Sequence, residues 1–349
     1  MPDSSDNSKK HGWRIGRGSL RFGLRTFFVL ISVTCLWLGW IVDRANKQRE
    51  TIKWVKEMNG TFAYDYEVNA DGWTVRDGEP PGPDWLRDLI GIDYFANVVR
   101  VGVSESTQVR DVTPLSNLTS LVDLFLNNTQ VDDVTPLANL KSLENLHLYN
   151  TQVSDVTPLA NLTSLETLLL QDTQVNDVTP LADLANLKVL DLGDTQVHDV
   201  KPLAKLKTLE SLALSRTLIR DVAPLARLTN LTALTLHNTH VNDLTPLADL
   251  SSLVDLGLSS TQVRDVTPLE NLKSLEHLWL NRTQIRDVKP LVKLTNLRWL
   301  YISSTQVREV TPLAKLPSLR RLDVSYTQVT CEDWEMLQES LPSLEPPCY

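Results

Sequence analysis

The chain has 349 residues, 42% apolar but only 6% aromatic, so its core has to be built from leucine and valine. That mix suits a layered array better than an enzyme core with a few large aromatic anchors. A formal net charge of −9 lacks the broad basic footprint that attracts phosphate backbones, and excludes nucleic acid as the expected partner.

Residues 1–25 form a basic tail carrying Lys9, Lys10, Arg14, Arg17, Arg21 and Arg25. Residues 26–42, TFFVLISVTCLWLGWIV, follow without a formal charge. A helix of that length spans roughly 25 Å, enough for a thin bilayer. Trp37 and Trp40 sit near its outer end, where amphipathic rings favour the headgroup level. No small-residue cleavage site follows, so the segment reads as a retained transmembrane anchor rather than a signal peptide. The purely basic leading flank orients the N-terminus inside and the rest of the chain outside the cytoplasmic membrane. Cys35 lies within the anchor behind Ser32-Val33-Thr34, a poor lipidation box.

Residues 43–98 read as a juxtamembrane segment and N-terminal cap. A helix is expected from Arg44 to Met58 and a hairpin from Thr61 to Val75 around Asn69-Ala70-Asp71-Gly72. After Pro80-Pro81-Gly82-Pro83, a short helix is expected over Trp85 to Ile90, with Asp84 near its N-cap.

Residues 99–329 repeat. Thr107, Thr129 and Thr151 begin a series that runs to Thr327, and Pro114, Pro136 and Pro158 one that runs to Pro312, both at intervals of 22 residues. Within a unit, Leu124-x-Leu126 alternates with strand period. From Val131 through Val134, Leu137, Leu140 and Leu143 the apolar spacing is three, that of tight 3-10 turns. Each coil is therefore a short strand, a corner and a tightly wound return that buries its leucines only by stacking on its neighbours. The fold class is an α/β solenoid: a curved array with parallel strands on the concave face and helical or 3-10 turns on the convex face. Cys331 to Leu341 reads as the closing helix of a C-terminal cap, residues 330–349. Cys331 and Cys348 flank it, either as a disulfide or as two thiols; their spacing does not decide between these.

The pattern L-x-x-L-x-L-x-x-T-x-V resembles the leucine-rich repeat, and with the return D-V-T-P-L-A-N-L it is most similar to the internalins' 22-residue repeats. Threonine stands where the family carries a ladder asparagine, so fewer hydrogen bonds per turn are expected. The segment RFGLRTFFVLISVTCLWLGW is similar to the anchor of bacterial membrane-bound leucine-rich repeat proteins. The resemblance implies architecture and location without a named partner.

A ladder of carboxylates, Asp111, Asp133, Asp155 and onward to Asp287 and Glu309, reads as capping of each return. A calcium row is disfavoured, since one carboxylate per coil supplies too few oxygens. The histidines show no metal spacing. His237 falls between Ser215 and Ser259 of adjacent coils but lacks a serine elbow and an oxyanion site, so no catalytic residue and no cofactor are expected. Residues 111–220 hold 7 Lys/Arg against 14 Asp/Glu, whereas residues 221–330 hold 12 against 10. The register sets His277 beside Trp299 and Trp279 beside Tyr301, with Arg282, Arg298, Arg320 and Arg321 around them. Gathered exposed aromatics mark interaction sites. The expectation is a non-catalytic recognition or scaffold protein that binds a protein, peptide or glycan, an acidic or carbohydrate-bearing partner being the natural choice. The alternative is a structural, self-associating envelope component.

Overall fold

A computed structural model describes residues 24–69, 75, 78–105 and 108–345. The chain divides into two compact units, residues 1–44 and 45–349. The basic tail and Cys348 fall largely or wholly outside the described residues. The N-terminal helix α1, Leu24–Glu57, is the one helix among the described residues long and apolar enough to cross a membrane. Within the first unit its apolar side chains, including Phe28, Leu36, Trp37 and Trp40, are exposed.

In the second unit the repeats are built as their spacing dictates. Ten three-residue strands recur at the 22-residue interval: β3 Asp123–Phe125, β4 Asn145–His147, β5 Thr167–Leu169, β6 Val189–Asp191, β7 Ser211–Ala213, β8 Ala233–Thr235, β9 Asp255–Gly257, β10 His277–Trp279, β11 Trp299–Tyr301 and β12 Arg321–Asp323. With β1 Thr61–Tyr64 and β2 Val98–Gly102 they form one sheet whose order follows the chain. From β2 on, each pairs in parallel with the next, and the middle leucines stay in register, as Leu278 with Leu300. Those leucines and their partners at spacing three form one continuous core cluster.

Each coil turns from strand to return through a residue with positive φ, such as Asn128, Asp172, Arg216, Arg282 and Ser304. The following threonine is buried, and its hydroxyl donates to the carbonyl three residues back, as Thr217 Oγ1 to Leu214 O at 2.6 Å. That is one side-chain bond per threonine, as expected from a hydroxyl in place of an amide. The returns are 3-10 turns beginning Thr-Pro-Leu or a close variant. The expected capping is present: Asp111, one residue before the N-cap Val112, accepts the N–H of Thr113 through its Oδ1 at 2.8 Å, so threonine opens the turn and proline is its second residue. These bonds favour the ionised carboxylate and hold Asp111, Asp155, Asp177, Asp243 and Asp265 below the ordinary carboxylate value.

The N-terminal end carries a pairing beyond the expected hairpin. β1 pairs antiparallel with β2, Thr61 opposite Gly102 and Phe62 opposite Val101, and so covers the leading edge of the sheet. Of the expected hairpin, the described residues show the bond from Val75 N–H to Glu67 O at 2.7 Å; residues 70–74 and 76–77 lie outside the described residues. The end of α1 supplies the rest of this cover, burying Ala45, Gln48, Thr51, Ile52 and Val55 at helical spacing. The short helix α2, Asp84–Ile90, has Asp84 directly after its N-cap Pro83, near the cap as expected. At the other end α3, Cys331–Ser340, is capped by Thr330, which accepts from Asp333 N–H, and buries Trp334 and Leu337.

Candidate functional site

Because the strand period is two, the first and third residue of each strand face outward while the middle leucine enters the core. The first positions of β9 to β12 make a row: Asp255, His277, Trp299 and Arg321. The third positions make a second: Gly257, Trp279, Tyr301 and Asp323.

The first row is a chain of paired groups. His277 Nδ1 lies 2.5 Å from Asp255 Oδ1, and its ring is 4.1 Å from that of Trp299. The Arg321 guanidinium lies 5.6 Å from the Trp299 ring centre on the neighbouring strand, and Arg321 Nε donates to Glu345 at 2.8 Å. Trp299, flanked by β10 on one side and β12 on the other, thus has both ring faces occupied. It is nonetheless 37% exposed, so what it offers a partner is its edge. The Tyr301 hydroxyl and the Glu345 carboxylate hold the Arg321 guanidinium's pKa above its ordinary value.

In the second row Trp279 and Tyr301 stack at 6.0 Å with planes 3° apart. The other side of Trp279 faces Gly257, where a Cβ would fall 2.4 Å from His237 Nε2. Only glycine admits the imidazole there, and His237 meets the Trp279 ring edge-on at 6.4 Å. His237 Nδ1 accepts the backbone N–H of Ser259 at 3.1 Å and does not engage a serine hydroxyl. Burial pushes its pKa down.

Of the eight residues expected at this site, the structure therefore joins His277, Trp279, Trp299, Tyr301 and Arg321 in one cluster. Arg298 and Arg320 border it, lining with His277, Trp299, Ser318 and Glu345 a cavity of about 430 Å³. Arg282 is apart, at the positive-φ corner three residues beyond β10. The arginines are less available than their number suggests. Arg298 pairs with Glu276 at 3.3 Å, Arg321 with Glu345, and Arg320 donates to Ser343 at 2.6 Å. Asp255, Gly257 and His237 were absent from the expected set. Counting 22 back from His277 and Trp279 reaches the first two. The lean of His237 across Gly257 had no signal in the spacing. No group of three metal-ligating side chains occurs among the described residues.

The model for leucine-rich repeats, in two copies, matches residues 119–161, 141–183 and 163–205. No curated protein matches the chain. Among solved structures, an internalin from Listeria monocytogenes is similar at 30% identity and TM-score 0.63, over 71% of this chain and 79% of that one. A leucine-rich repeat protein of Leptospira interrogans shares the fold at 20% identity and TM-score 0.59, over 68% and 74%. A plant peptide hormone receptor shares it at 19% identity and TM-score 0.58, over 67% of this chain and 40% of the receptor. With its unbroken 22-residue register, continuous parallel sheet and 3-10 returns, the chain belongs to the leucine-rich repeat family, in its internalin-type form.

Proposed function

We propose that this protein is a non-catalytic, membrane-anchored recognition module. In this reading residues 26–42 span the cytoplasmic membrane with the N-terminus inside. Residues 43–98 and 330–349 cap the array, and residues 99–329 present its strand face outside the membrane to a protein or peptide partner. The observation that carries the proposal is the cluster on β10 to β12: four rings held side by side on a surface that no core packing requires.

The way the rings are held narrows the partner. A sugar ring binds by lying on an aromatic face, and both faces of Trp299 are occupied by His277 and Arg321. Ring edges remain, with the indole N–H and phenol groups that suit backbone carbonyls and small apolar side chains. The internal pairing of Arg298 and Arg321 likewise lowers the attraction expected for an acidic partner. These features favour a protein or peptide over a glycan.

The test is crosslinking in native membranes with the full chain, comparing wild type with a Trp279→Ala/Trp299→Ala variant. Crosslinks to a distinct partner should disappear, while the melting temperature moves by only a few degrees, since cross-strand pairs contribute roughly 0.2–1 kcal/mol each. Loss of folding with the crosslinks retained would make the cluster structural. A reporter fused after Tyr349 tests the orientation: activity on the cytoplasmic side alone overturns it.

A further inference from the structure

In several coils a side chain accepts the backbone N–H that lies two residues past the strand. Asp191 accepts that of Gly193 at 2.8 Å, Asn281 that of Ser303 at 3.0 Å and Asp323 that of Ser325 at 3.0 Å. The N–H of Ser259 goes instead to an imidazole, His237 Nδ1, at 3.1 Å. His237 and Asn281 hold the same position two repeats apart, and each serves the coil that follows. The difference is chemical. An amide oxygen accepts at any pH, whereas an imidazole nitrogen accepts only while it is unprotonated.

The ring also has its own seat. Gly257 is the one glycine at the third position of β3 to β12, and His237 fills the space its missing side chain leaves. There the imidazole stands on the β9 side of Trp279, while Tyr301 stacks on the indole from β11. The adjoining positions carry no charge. Ser215 and Ser259 flank His237 in its own row, and Ala213, Thr235 and Trp279 stand in the next. The ionisable groups of the surrounding coils are engaged elsewhere, Asp255 with His277 at 2.5 Å and Arg216 with Asp194 at 3.3 Å. Arg282, at its corner of the β10 coil, and His240, past the buried Thr239, are exposed. Burial therefore governs the ring and pushes its pKa below the ordinary imidazole value, which favours the neutral, seated form at pH 7.

We propose that His237 is a positioning residue for the β10 to β12 cluster and makes that cluster responsive to pH. Neutral, it accepts the Ser259 N–H, fills the space over Gly257 and fixes Trp279 between itself and Tyr301. A proton taken up at Nδ1 sets two donors, the new N–H and that of Ser259, against each other, and the ring leaves its seat. Trp279 then loses its support on the β9 side, and the ring edges offered to a partner lose their fixed geometry. An unfolded chain takes up this proton at a higher pH than the seated ring does. The contribution of the seat is therefore complete above the ordinary imidazole value and is lost as the pH falls below it. The role rests on the recognition assigned to this cluster, while the seat itself can be tested without a partner.

The experiment uses the full chain in zwitterionic nanodiscs, labelled with fluorotryptophan, the Trp279 signal being identified by its loss in Trp279→Phe. Fluorine NMR from about pH 7.5 to about pH 4.5 should move that signal with a midpoint below about 6.5. His237→Asn keeps an acceptor that does not titrate, as Asn281 does two repeats on, and its Trp279 signal should not move. Gly257→Ala puts a methyl group in the seat, so its signal should stand at the acid position already at about pH 7.5. Crosslinking to the partner should fall severalfold at about pH 5 in the wild type and hold steady in His237→Asn. A transition that persists in His237→Asn and vanishes in His277→Gln would place the response in the Asp255–His277 pair and overturn the proposal. So would a wild-type signal that stays still while circular dichroism shows a folded chain, or a folded Gly257→Ala with the neutral wild-type signal. Capture unchanged by acid while the signal moves would overturn the positioning role. No capture at any pH, with the transition present, would sustain the seat and count against the recognition reading alone.

Discussion

The repeats and the N-terminal cap solve the same burial problem with different chemistry. Along β3 to β12 the interior is almost entirely leucine, valine and isoleucine, and past the β3 coil, which also buries Asp123 and Asn127, the buried polar group of each coil from Thr151 to Thr305 is one threonine hydroxyl bonded within its own turn. The cap instead buries a polar network. Gln48 donates to Asp93 at 3.1 Å and to Ala96 O at 3.0 Å, and accepts from Val98 N–H at 3.0 Å. Tyr64 and Arg49 also bond Asp93, at 3.1 Å and 3.3 Å. Desolvation and the Asp93 charge raise the Tyr64 pKa above its ordinary value, so the phenol stays a donor. An interior coil finds an identical neighbour on each side, and dry aliphatic stacking suffices. The first coil has no such neighbour. Its exposed backbone groups need specific partners, which polar side chains of α1 and β1 provide.

The largest test of this contrast is register. Deleting one whole unit, Thr151 to Asp172, should leave a shorter folded array, because strand still meets strand. Deleting half of that unit sets strand against return and should abolish cooperative unfolding. Circular dichroism and thermal melting of both deletions would decide, and equal folding would contradict nearest-neighbour stacking.

A smaller effect is expected at the cap. Gln48→Leu removes three hydrogen bonds and leaves a buried carboxylate short of a donor. The cost should be about 2–4 kcal/mol. Hydrogen exchange should show the loss as early opening of the first coils, with β8 to β12 still protected. Uniform loss of protection would mean that the cap is not a separate source of stability.

The smallest effect belongs to the corners. Ser304 holds φ +56° without glycine or an amide side chain. Ser304→Gly removes a left-handed strain of about 1–2 kcal/mol and adds about 0.5–1 kcal/mol of chain entropy, so a net gain below about 1 kcal/mol is expected. The melting temperature should rise by roughly a degree or two. A fall would show that the corners are not strained.

The legible and illegible parts of the chain divide along the same line. Apolar period two followed by spacing three specifies strand and 3-10 return, and the exact 22-residue interval specifies which residue faces which. The adjacency of His277 with Trp299 and of Trp279 with Tyr301 could therefore be read before any coordinates, as could the closing helix at Cys331. Nothing in that arithmetic assigns a side chain's direction. Only the folded chain set His237 over Gly257 and tied Arg298 and Arg321 to Glu276 and Glu345. The cap was the least legible. β1 found a partner in β2, more than 30 residues on, which no local turn signal announced. The leading edge of the sheet has several backbone groups to satisfy, and β1 satisfies them. Repetition made the array readable because each local choice is repeated and stabilised by its neighbour; the ends occur once, and their pairing is decided by tertiary contacts alone.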